Sequence, residues 1–157
     1  MKDDFTQKLI TDQVFIGRVI TQATTIESLI NAYIAEFYTR CPDADYRTTY
    51  LAFMYDVMNE RGISLDSKVN ILAKIYLRIH GKSGKLNRTL FSNWLRIRNI
   101  FAHGLYISDK GILYAGEFYD IAAQAEKHAA LQTEIHIELE RASELRGPYF
   151  NQFPTKV

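Results

Sequence analysis

One short stretch of the chain, Arg98-Asn99-Ile100-Phe101-Ala102-His103-Gly104, places a permanent cation, an amide and a titratable ring close together. Histidine moves a proton near neutral pH without a large pKa shift. The arginine fork stays charged and pairs with anionic oxygens. Together they suit proton transfer beside an anion. If the stretch is helical, Asn99 precedes His103 by four residues and shares its face, and Arg96, seven before His103, shares it too. Arg96 then reads either as a second anion contact or as a solvated helix residue. Arg98 has a different phase, about 40° from Trp94 and inside the apolar arc bounded by Leu95 and Ala102. Partial burial is therefore expected of its guanidinium, and a buried guanidinium needs a partner. Glu27, within the apolar arc of an earlier helix, is the candidate: it anchors Arg98 or borders the site, or else meets solvent at the edge of its stripe. His103 has a plainer alternative, that of a ring bonding the last carbonyls of its helix.

Helical periodicity governs the elements that must hold these residues. Asp12 is placed to cap a first helix running to about Thr39, with a stripe of Ile16, Val19, Ala23, Ile26, Ile30, Ile34 and Phe37. Cys41-Pro42-Asp43 ends it. A second helix is expected over about 45–61, with Tyr46, Tyr50, Phe53 and Val57 inward and Gly62 as its stop. Ser64 or Asp66 caps a third, over about 65–79, on Val69, Leu72, Ile75, Tyr76 and Ile79. The fourth, about 86–102, turns Leu90, Trp94, Ile97 and Phe101 inward and stops at Gly104. Two β-prone runs around Asp109-Lys110-Gly111 predict a small hairpin over 105–114. A last helix is expected over about 117–145, and 147–157, with two prolines, reads as an irregular tail. The fold class is thus all-α, an up-and-down bundle of about five helices with a β-hairpin between the last two. It forms one domain over 1–157 with a core of about 11–146.

With its position late in a penultimate long helix, the Arg-x4-His motif resembles the HEPN family, whose active members carry Arg, four to six residues, then His. Asn99 fits the polar residue that often follows the Arg, and the family's bundle of four or five helices agrees with most of the chain. The resemblance implies a metal-independent endoribonuclease, in which the RNA 2′-hydroxyl attacks the adjacent phosphorus and leaves a cyclic phosphate and a free 5′-hydroxyl. It implies His103 as general acid or base, Arg98 on the phosphate and Asn99 orienting the ring. It also implies a homodimer with two motifs lining one cleft, no cofactor and no metal. A toxin–antitoxin, phage-defence or stress setting is implied as well, with an antitoxin or other regulatory protein as a further partner. One toxin subgroup carries a tyrosine two residues after the His. Leu105 stands there and Tyr106 comes one later, which speaks against that subgroup and leaves Tyr106 as a supporting residue or simply part of the hairpin. The alternative within the family is a non-catalytic module that binds a nucleotide or a protein. Outside it stands a structural bundle whose motif is fortuitous.

The 157 residues carry a net charge of only +1, yet Ser67 to Ser108 contains no Asp or Glu. That stretch holds Lys68, Lys74, Arg78, Lys82, Lys85, Arg88, Arg96 and Arg98 and attracts a polyanion such as RNA. The other reading pairs these cations with the acids of the last helix. Other signals point away from alternative chemistries. Gly81-Lys82-Ser83 lacks the upstream glycine of a phosphate-binding loop, with Tyr76 in its place and a helix rather than a strand before it. His128 and His136, eight apart with no third ligand, read as surface histidines rather than zinc ligands. Cys41, the single cysteine, excludes an intramolecular disulfide. Most aromatics fall at core spacing, with Tyr106 and Tyr114 on the hairpin the exceptions free to stack on bases. Met1-Lys2-Asp3-Asp4-Phe5 does not read as a targeting segment and no apolar run approaches a membrane span, so a cytoplasmic, membrane-free protein is expected.

Overall fold

A computed structural model describes residues 2–39, 46–58, 62–81, 84–108 and 110–144. Five helices and one small sheet come in the order α1 (Lys2–Thr39), α2 (Tyr46–Phe53), α3 (Leu65–His80), α4 (Arg88–His103), β1 (Leu105–Ile107), β2 (Gly111–Tyr114), β3 (Glu117–Tyr119) and α5 (Ile121–Glu144). The architecture is mainly helical with the sheet between the last two helices, as the periodicity predicts. The described residues fall into two compact units, one drawn from 2–26 and 89–135, the other from 27–88 and 136–144.

The first unit carries the motif. Val19 of α1, Ile97, Ile100 and Phe101 of α4, Ile112 of β2, and Ile121 and Ala125 of α5 form its buried cluster, with Phe15, Ile16, Tyr106, Tyr114 and Tyr119 packed against it. Trp94, fully buried, stacks on the ring of His128 with centroids 5.9 Å apart. His128 is thus a core residue rather than the surface histidine its polarity suggests, because its phase on α5 turns it inward.

Helix α1 begins ten residues before the expected cap. Its first ten residues contain no glycine or proline to stop it, and the Thr11 hydroxyl donates back to the Gln7 carbonyl at 2.9 Å. Asp12 caps nothing: it is buried within the helix, and its carboxylate accepts from the Tyr106 hydroxyl at 3.1 Å.

The predicted hairpin is a three-stranded antiparallel sheet in the order β1-β2-β3. The third strand occupies 117–119, where the sequence reading places the start of the last helix. Ala115 and Gly116, both at positive φ (51° and 86°), make the two-residue turn between β2 and β3, the geometry that matches strand twist. Asp120 then caps α5, accepting from the Ala123 N–H at 2.8 Å.

In the second unit, Ile30, Ile34 and Ala35 of α1, Val69, Leu72, Ile75 and Tyr76 of α3, and Leu139 of α5 are buried. Ser64 is the cap of α3, accepting from the Ser67 N–H at 3.2 Å. Helix α2 departs from expectation, since it continues as a π-helical turn, Met54–Met58. The wider turn slips the helical phase, so Met58 is buried and Val57 is 38% exposed. The end of this helix and the 147–157 tail lie outside the described residues.

Candidate functional site

The motif closes α4. His103 is its last residue and is exposed; Arg98 and Asn99 are half-buried one turn and more earlier. Helical phase alone puts Arg98 on the apolar side and His103 on the polar side. The arginine's length overcomes that separation. One guanidinium nitrogen, Nη1, donates to Asn99 Oδ1 at 3.1 Å and faces His103 Nε2 at 3.4 Å. A guanidinium only donates, so a hydrogen bond along this line uses Nε2 as its acceptor. Cation, amide and imidazole therefore meet at one point. Asn99 steadies the guanidinium by this bond, rather than orienting the ring as its four-residue spacing suggests.

Gly104 sets the path of the chain beyond the motif. Its N–H donates to the Ile100 carbonyl at 2.9 Å, finishing the helix. A Cβ there would collide with the Ile112 side chain and the Ile100 carbonyl. Glycine thus lets β2 lie directly against the end of α4, and β1 begins at the next residue, Leu105.

The supporting residues have distinct places. The exposed Arg96 donates from Nη2 to the Tyr119 hydroxyl at 3.3 Å, and that hydroxyl donates to Glu117 Oε2 at 2.6 Å. This bond to Tyr119, with the nearby Glu117 charge, raises the Arg96 pKa further. Arg96 is thus tied to β3 rather than freely solvated. Tyr106 packs on the core cluster and donates to Asp12; burial first, then the bond to Asp12, raises its phenol pKa and keeps it protonated. Tyr114 packs on the same cluster, so neither of the two tyrosines expected to stand free for base stacking does so. The outward aromatic of the sheet is Phe118, 50% exposed.

Glu27 belongs to the second unit, where its carboxylate accepts from Lys68 Nζ at 2.8 Å, and Lys68 is almost fully buried. An acid on a core face needs a cationic partner, and Glu27 has it in Lys68. This bond also gives one cation of the basic stretch a partner on α1, not on the last helix. Glu138 of α5 accepts instead from the Asn87 N–H at 3.1 Å and from Arg141 at 3.2 Å.

The contacts of Asp12, Glu117 and Tyr119 have no signature in the sequence. Asp12 and Tyr106 are 94 residues apart, and no local pattern joins them. Glu117 and Tyr119 alternate as a strand would, but a strand this short reads as a helix start. Among the described residues, no three His, Cys, Asp or Glu side chains gather as a metal site, and no helix is long and apolar enough to cross a membrane. Compared with profiles of known protein families, with curated protein sequences and with solved structures, the chain gives no match.

Proposed function

We propose that this protein is a metal-independent endoribonuclease of HEPN type, with Arg98 and His103 as its catalytic pair. The observation that supports it is the approach of the Arg98 guanidinium to within 3.4 Å of Nε2 of the exposed His103. A phosphate bound by Arg98 would lie beside a group able to take or give a proton. His103 Nε2 withdraws the proton of the RNA 2′-hydroxyl, the 2′-oxygen bonds to phosphorus, and the bond to the 5′-oxygen breaks. A second proton goes to that leaving oxygen, producing a 2′,3′-cyclic phosphate and a 5′-hydroxyl. One ring supplies one of these transfers at a time. The homodimer that the family resemblance implies supplies a second motif for the other. Arg98 neutralises the charge that grows on the phosphoryl oxygens, and Asn99 holds the fork in place. A toxin–antitoxin or phage-defence role, an antitoxin or regulator as partner, and action in the cytoplasm complete this reading.

The test is cleavage of a fluorescent mixed-sequence RNA in EDTA. The wild type is expected to cut and leave cyclic phosphate ends. His103→Ala is expected to lose about 10²–10⁴-fold and Arg98→Ala about 10²–10³-fold, both remaining folded by circular dichroism. Arg98→Lys does not restore activity, because an ammonium cannot reproduce the fork. A wild type inert on several RNAs overturns the reading in favour of a non-catalytic module. Growth arrest on expression, relieved by His103→Ala, tests the toxin setting, and sedimentation tests the dimer.

A further inference from the structure

The strand register sorts the sheet into two faces. Tyr106, Ile112 and Tyr119 pair across the strands, and all three belong to or pack on the buried cluster. Side chains alternate along a strand, so the next row, Leu105, Leu113 and Phe118, faces the other way. Leu105 is 64% exposed and Phe118 50%, with Leu113 half-buried between them. The ammonium of Lys110 stands 5.6 Å from the centroid of the Phe118 ring. The row begins at Leu105, two residues after His103.

We propose that this outward face is a platform for an unpaired base of single-stranded RNA, with Phe118 as the stacking surface and Lys110 as its phosphate contact. An exposed aromatic ring beside a lysine is the combination that binds single strands without sequence preference, since every base has a π-face and every nucleotide a phosphate. Leu105 and Leu113 extend the apolar floor under the base. Lys110 leaves the ring when the base arrives and pairs with the adjoining phosphate. A protein partner fits less well. Three side chains offer roughly a few hundred Å², well short of the ~800 Å² per partner of a stable interface, whereas one base needs only one ring face. That the bound nucleotide adjoins the scissile phosphate rests on the ribonuclease reading; the platform itself does not.

The test uses the full chain carrying His103→Ala, so that RNA survives, and measures anisotropy of a fluorescein-labelled mixed-sequence 12-nucleotide RNA and of its blunt duplex. Phe118→Ala is expected to weaken single-strand binding about ten- to a hundredfold and to leave duplex binding unchanged. Phe118→Leu is expected to fail likewise, because it keeps hydrophobicity without a ring. Phe118→Trp is expected to bind at least as well as Phe118, with its new indole emission quenched by RNA. Single-strand binding that is undetectable, or equal in the Phe118, Ala and Leu proteins, overturns the platform. So does a change in sedimentation with Phe118→Ala at unaltered RNA affinity, which would make the row a protein contact. The two readings fail separately. Phe118-dependent binding by a wild type that cuts nothing retains the platform and removes the nuclease. Cleavage with unchanged KM in Phe118→Ala retains the nuclease and removes the platform.

Discussion

The charged side chains Arg98 and Glu27 are each defined by the atoms they touch. Arg98, Asn99 and His103 meet because a long flexible side chain can reach across the helix phase that separates it from the ring. Glu27 shows the same logic with a different outcome. Its carboxylate serves Lys68, whose side chain is 5% exposed against 29% for Glu27. Removing one partner of a buried pair leaves an uncompensated charge, which costs about 3–5 kcal/mol when both are fully buried. The partial exposure of Glu27 lets water screen the loss, so Glu27→Gln should cost on the order of 2 kcal/mol, seen as a lower denaturant midpoint at unchanged slope. RNA cleavage per folded molecule should stay at the wild-type rate. A large fall in activity at intact stability would give Glu27 a part in the chemistry.

At the scale of elements, the end of α4 and the strand laid against it are a single construction. Gly104 permits their contact, since a Cβ there meets both Ile112 and the Ile100 carbonyl. Gly104→Ala must push β2 away or unwind the last turn that holds His103. Overpacking of this kind costs about 1–3 kcal/mol, so thermal melting should drop and RNA cleavage should fall together. An alanine variant with native stability and rate would mean that the sheet has no part in holding the motif. Helices α1, α3 and α4 are legible because each carries an apolar stripe most of whose residues are buried, such as Val19, Ala23 and Ile26 in α1 or Leu90, Trp94, Ile97 and Phe101 in α4. The pair Arg98 and His103 was legible as a motif, and so was the partial burial of Arg98. What stayed hidden has physical causes. Strand β3 is three residues long and comes after an Ala-Gly turn, which lacks the Asn or Asp that commonly announces a primed hairpin turn. The π-helical turn after α2 has no sequence signature in residue type. The Asp12–Tyr106 and Glu27–Lys68 pairs are made by tertiary packing and have no local pattern.

At the scale of the whole molecule, the core of the unit that carries the motif contains a titratable ring, and this links stability to pH. His128 is fully buried against Trp94, and burial pushes its pKa from 6.5 down to about 4. Between those values the unfolded chain binds a proton that the folded chain refuses. Stability therefore rises with pH across this window: the contribution is complete above about 6.5 and is lost as pH falls towards 4, in all ~3 kcal/mol. Between pH 7 and pH 5 the wild type should lose about 2 kcal/mol through this ring alone. Carboxylates also lose native pairings in acid, so the measurement is a difference. His128→Leu, of similar volume and without nitrogens to bury, should show a shallower fall over the same interval by about that amount. Trp94, the one tryptophan of the chain, reports this core directly, and denaturant titrations followed by its emission at pH 7 and pH 5 give both slopes. Equal losses in wild type and His128→Leu would mean that the ring is hydrated or paired in solution and that acid acts on this fold elsewhere.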